Sequence, residues 1–380
     1  MKNFREKTIT AVKLLLLLAA SAYCILRTNE VKSAVASSVE RCVYVLIPSL
    51  YAMLIVSGIL IRSGAMERFS RFFGAAGRAL FGMTSGEVSI FLLSMFAGYP
   101  VGARMLSSSR AGRRRTELLL GVCFGAGPAF IFGCISGELY GSPSAGKAIL
   151  ISAVSANIIL AVILSFTLRK ETVQAKKKAP IELSGAMVAD CVTSGGRALA
   201  GICFAVMAFS VLTSALDSLG AAELIGGFIA RFAGVSHKDG ETLFRSILDV
   251  TALSELTRGN YRLLPWISAL ISFGGVCVLF QISAVTSGNI SLRPFLIIRL
   301  AAAAVSFFIC RSIMPIMLRS ETVAASTVKV RSFRAASPIP SIMLIIMTMM
   351  LICSANTHLK KERTVKSYAH KSEFISAPYL

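Results

Sequence analysis

The chain has 380 residues, 55% of them hydrophobic and 16% charged, with 40 lysines and arginines against 19 acidic residues, a net charge of +21. So apolar a composition excludes a soluble domain of this length and points to an all-α polytopic membrane protein. The basic residues cluster between apolar runs, which reads as a positive-inside bias and not as a nucleic-acid surface.

Residues 1–26 join a basic start, Lys2, Arg5 and Lys7, to a leucine-rich run. The pattern suits a signal peptide or a first membrane helix. The helix is preferred, because further spans hold the chain in the bilayer. A second span is expected over 41–61, with Pro48 near its start. Arginines and phenylalanines alternate over 62–81, as in a helix lying in the membrane interface.

Two apolar runs follow, at 89–103 and 118–136, and each is interrupted. The first breaks at Gly98-Tyr99-Pro100 and the second at Gly125-Ala126-Gly127-Pro128. Proline removes a backbone donor and glycine loosens the helix. Freed N–H and C=O groups at membrane depth survive only inside protein or along a wet cavity. Paired breaks therefore suggest a binding site built from half-helix ends; a pair of packing kinks is the plainer reading. Between the runs, Arg104, Arg110, Arg113, Arg114 and Arg115 form the strongest cytoplasmic marker. A clean span at 147–168 carries Asn157 at its middle, for helix packing or for a substrate.

A basic linker at 169–184 precedes a second half with the same order of elements. A span at 190–216 carries Arg197, and an interfacial segment covers 217–238. The segment 241–259 is only partly apolar and holds Asp249, Thr251 and Glu255. The span at 263–286 breaks at Ser272-Phe273-Gly274-Gly275, with Gln281 beyond, and a further span runs over 294–318 with Arg299 and Arg311 inside it. A short Met-rich run at 338–354 and a basic tail, expected to be disordered, end the chain. The division is 1–40 for the first helix and loop, 41–168 and 185–318 for two repeats, 169–184 for the linker and 319–380 for the tail.

Placing residues 104–115 and 169–178 inside puts 137–146 outside and makes 88–103 a re-entrant hairpin. The second repeat then runs in the opposite sense, giving inverted repeats. Against this, Arg319, Lys329, Arg331 and Arg334 fall outside. Either 241–259 spans fully or the end of the chain is wired differently.

FAGYPVGARM followed by CFGAGPAFIFGCISGE, then SILDVTALSELTRG and ISFGGVCVLFQ, resembles the YlbJ-type (SpoVV) sporulation integral membrane proteins, which carry a nucleoside recognition or Gate domain. The likeness covers 41–319 in order. Phe124 and Gly125 stand where that family has an asparagine, and its Glu-Val-Thr-Asn-Gly element begins here as Asp249-Val250-Thr251 without the Asn-Gly. The resemblance implies export of dipicolinate from the mother cell across the outer forespore membrane. Transport of nucleosides or another small solute, or a scaffold without transport, are the alternatives.

For a small organic anion, half-helix N-termini supply positive potential. Substrate contacts are expected from Gly98, Tyr99, Pro100, Gly125, Gly127, Pro128, Asn157, Arg197, Ser272, Gly274, Gly275 and Gln281. Intramembrane carboxylates are costly, so Asp249, with Thr251 and Glu255, is expected to take a coupling proton or cation. No enzyme motif, metal constellation or cofactor site is read: His237, His358 and His370 lie far apart, and the nine cysteines read as packing residues. The expected partners are the substrate anion and the bilayer, with a homo-oligomer left open.

Overall fold

A computed structural model describes residues 2–65, 74–75, 77–107, 111–169, 183–286 and 291–325. The described residues form helices and no strand. Four helices are each long and apolar enough to cross a membrane: Pro143–Leu168, Gly185–Ser218, Tyr261–Ser283 and Leu292–Leu318. The protein is an all-α integral membrane protein.

Helix α1 (Lys2–Leu26) leads into α2 (Thr28–Arg41), and a π-helical turn at Cys42–Leu46 joins α2 to α3 (Ile47–Arg62). The expected span over 41–61 is thus the end of a longer helical stretch. The π-turn lies just before Pro48, which has no N–H to donate. The Ile47 N–H reaches back five residues to the Cys42 carbonyl instead of four. Residues 66–73 and 76 of the interfacial segment, 170–182 of the linker and the tail beyond 325 lie outside the described residues.

The first interrupted run is α4 (Ser85–Ala97) and α5 (Tyr99–Ser107), started by a Thr84–Glu87 capping box. The second is α6 (Arg113–Val122) followed, after the break, by a π-helical segment at Phe130–Tyr140. Helix α7 (Pro143–Leu168) closes the first half. The remaining elements follow in chain order. Helix α8 (Gly185–Ser218) leads to α9 (Ala221–Ala233), then to α10 (His237–Leu248) and a 3-10 turn at Val250–Glu255. The broken pair α11 (Leu264–Phe273) and α12 (Gly275–Val285) follows, and then α13 (Leu292–Ala325). Helix α9 leaves Leu224, Phe228 and Phe232 more than two-thirds exposed, as an interfacial helix does.

One large apolar cluster unites α4, α6, α7, α10, α11 and α13. Two smaller ones hold the π-helical turn, α3 and α8 together, with Ala97, Val101, Met105 and Cys277 packed among them. Small residues bring α3 and α8 close: Gly58 faces Cys191, and Gly195 faces Ile55.

The arginine-rich stretch 104–115 is not wholly a loop. Arg115 is 2% exposed. It donates from Nε and Nη2 to the two carboxylate oxygens of Glu87, both at 2.7 Å, and from Nη2 to the Gly82 carbonyl at 2.9 Å. Its Nη1 donates to the Leu168 carbonyl. A buried guanidinium with its carboxylate and spare donors satisfied is a fixed joint, here fastening α4 and α6 to the end of α7.

Candidate functional site: four helix breaks that meet

Each interruption has a local cause. Gly98 takes φ 91° and ends α4. Residues 123–127 are non-helical, and Pro128 restarts the chain. Asp249 is extended (φ −135°, ψ 108°) and caps the 3-10 turn with its own side chain. Gly274 and Gly275 take φ 91° and 80°, values that L side chains rarely adopt.

The four breaks lie against one another. A Cβ on Gly127 would sit 3.7 Å from the Gly98 backbone, and one on Gly102 would overlap the Cys123 carbonyl. A Cβ on Gly274 would fall 2.3 Å from the Phe124 ring, joining the second break to the fourth. One on Gly275 would be 3.1 Å from the Val250 nitrogen, joining the fourth to the third. Tyr99 donates its hydroxyl to the Ile271 carbonyl at 2.8 Å, and its ring lies 4.7 Å from that of Phe124.

The freed carbonyl of Phe124 is taken up by side chains. Asn157 Nδ2 donates to it at 2.8 Å and Arg299 Nη1 at 3.3 Å. Arg299 Nη2 donates to Asn157 Oδ1 at 2.7 Å, and the guanidinium carbon stands 4.9 Å from the Phe124 ring centroid. Arg299 is fully buried, and its Nε has no partner. Asn157 is therefore fastened to the second break and to α13 by its own amide.

On the other side of Asp249 lies a cavity of about 470 Å³ between α2, α8, α10 and the 3-10 turn after it. Arg41, Thr213, Asp217, Arg245, Asp249 and Glu255 are among its lining residues. Asp249 accepts from the Thr251 N–H at 3.1 Å and the Thr251 hydroxyl at 2.7 Å. Arg41 pairs with Glu255, and Arg245 with Asp217 at 3.0 Å, so both arginines are matched to carboxylates other than Asp249.

The expected site residues therefore divide. Gly98, Tyr99, Gly125, Gly127, Ser272, Gly274 and Gly275 lie at or beside the meeting breaks, with Pro100 and Pro128 in the first turns that follow. Asp249 and Thr251 stand together at the cavity wall, and Glu255 lies at its exposed rim, paired with Arg41. Gln281 donates to Cys277 on its own helix at 3.4 Å, and Arg197 is exposed on α8; neither is brought to the breaks. Arg299, Phe124 and Arg41 are participants that the sequence reading passed over. For Arg299 the signal was there, since a charge inside an apolar run is a functional hypothesis by default.

No protein-family model and no curated protein matches the chain. Among solved structures it is similar to CNTnw, a concentrative nucleoside transporter. Against the outward-facing state the identity is 11%, covering 84% of this chain and 87% of that one, with a TM-score of 0.45. Against the inward-facing, substrate-bound state it is 13%, covering 87% and 88%, again with a TM-score of 0.45. No residue is transferred from that likeness.

Proposed function

We propose that the protein is a membrane transporter for a small polar organic solute, bound where the four breaks meet. The convergence of four interruptions at one place carries this reading. A scaffold needs no such place, because unsatisfied backbone in a membrane is costly unless it serves a site. The finer reading is a small organic anion, with dipicolinate suggested by the sporulation-family motifs and the outer forespore membrane as its setting. A nucleoside is the second solute to test.

The cavity beside Asp249 suits the coupling ion better than the anion. Glu30, Asp217, Asp249 and Glu255 line it with Arg41 and Arg245, and Arg27 pairs with Glu30, so four acids meet three bases. Glu30, Asp217 and Glu255 each have an arginine partner, and Asp249 is held by Thr251 alone. A proton or cation reaching Asp249 through the cavity would neutralise it one step away from the solute. Purified protein in sealed vesicles should accumulate labelled dipicolinate against a protein-free control. No accumulation of dipicolinate or of a nucleoside, under any imposed proton or sodium gradient, would overturn the proposal.

A further inference from the structure

Arg299, at the second break, is a buried charge with no carboxylate bonded to it among the described residues. Its acceptors are neutral oxygens, Phe124 O and Asn157 Oδ1. A guanidinium stays protonated, so burying it without an anion is costly. Three buried side-chain atoms among the described residues lack a hydrogen-bond partner: Arg41 Nε, Ser272 Oγ and Arg299 Nε. All three can donate, and Arg299 lies over the Phe124 ring. Ser272 stands in the last turn of α11, two residues before Gly274, where an added methyl would meet that ring. An unmet donor on an unmatched buried positive charge calls for a ligand that brings acceptor oxygens and negative charge.

We infer that Arg299 and Ser272 form the carboxylate-recognising element of the transport site, so that the solute is selected for its anionic carboxylate. This rests on the reading of the breaks as a solute site. Arg299 fastens the second break through two neutral acceptors and keeps Nε for the ligand. Ser272 offers an unpartnered hydroxyl from the last turn of α11. The cavity at Asp249 stays apart as the ion path.

The test compares uptake of dipicolinate and of its uncharged diamide in vesicles holding wild type, Arg299→Gln, Arg299→Lys or Ser272→Ala. Wild type should prefer the dianion. Arg299→Gln should lose roughly 10- to 100-fold in dipicolinate uptake, the loss of a charge-assisted hydrogen bond, while keeping the diamide. Arg299→Lys should recover most of the preference. Dipicolinate uptake that survives Arg299→Gln overturns the inference and leaves transport standing, as does a wild type that prefers the diamide. A wild type that moves neither solute overturns the transport reading itself. If Arg299→Gln moves neither, Ser272→Ala decides. Its hydroxyl has no hydrogen-bond partner, so a selective fall in dipicolinate uptake supports the inference and an unchanged ratio of the two solutes overturns it.

Discussion

Tyr99 and Ile271, 172 residues apart, are joined by a hydrogen bond of 2.8 Å from the phenol to the backbone carbonyl. The carbonyl needs a side-chain donor because its helix ends at Phe273, before a regular partner at position 275 can form within it. The bond ties the first half's hairpin to the second half's broken helix. Tyr99→Phe removes the donor and leaves a buried acceptor, at a cost of about 1–3 kcal/mol. Thermal unfolding in detergent should show a lowered midpoint, and vesicle uptake should fall with it. An unchanged midpoint would mean that water or another donor replaces the phenol.

The glycines of the breaks should not be equivalent. Gly274→Ala and Gly275→Ala each force a side chain into positive φ, at about 1–2 kcal/mol, and at Gly274 the new methyl overlaps Phe124. Gly127→Ala meets nothing closer than 3.4 Å and should fold normally, whereas Gly127→Leu should remain in the membrane and abolish uptake by filling the junction. Gly201→Ala, with nothing within 4 Å, is the control. Normal flux in Gly127→Leu would reduce the second break to a kink.

Asp249→Asn keeps the shape and a hydrogen bond to Thr251 but cannot titrate. Solute binding should persist, and the dependence of uptake on proton or cation gradients should vanish. Asp249→Ala also removes the cap on the 3-10 turn and should lose binding too. A retained pH profile and cation response in Asp249→Asn would make the carboxylate a purely structural cap. The simplest structural alternative, a pair with Arg245, does not exist, because Arg245 bonds Asp217 and Glu241.

The Arg41–Glu255 pair crosses the cavity from α2 to the 3-10 turn, with side chains 17% and 45% exposed. With its carboxylate open to solvent the pair contributes little stability, about 0–1 kcal/mol. Arg41→Ala and Glu255→Ala should therefore leave the unfolding midpoint nearly unchanged and alter the uptake rate instead. The exchanged double variant, Arg41→Glu with Glu255→Arg, should return the rate toward wild type. Equal rates in all four proteins would show that the contact has no part in transport.

Charge bias places residues 104–115 inside and 137–146 outside. Cysteines at Gly112 and at Glu138, both exposed, should react with an impermeant maleimide from opposite sides in a cysteine-free background. Labelling from one side would discard the inverted arrangement.

The sequence by itself determined the membrane class and the positions of the breaks. Apolar runs longer than a bilayer needs, and the glycines and prolines inside them, are local properties of the chain. Glycine at 98, 274 and 275 is demanded by positive φ, which no neighbour is needed to predict. Tertiary structure alone decided what the breaks touch. That Asn157 and Arg299 share the Phe124 carbonyl depends on how α7 and α13 pack on α6. Gln281 has much the same chemistry as Asn157 on another apolar helix, yet it bonds Cys277 of its own helix. Likewise Arg115 and Arg113 look alike in a basic run. One is buried on Glu87 and the other lies exposed, because only Arg115 faces the junction of α4 and α7. Hydrophobicity and backbone chemistry act along the chain and can be read from it. The partner that satisfies a buried polar group is set by packing between distant segments.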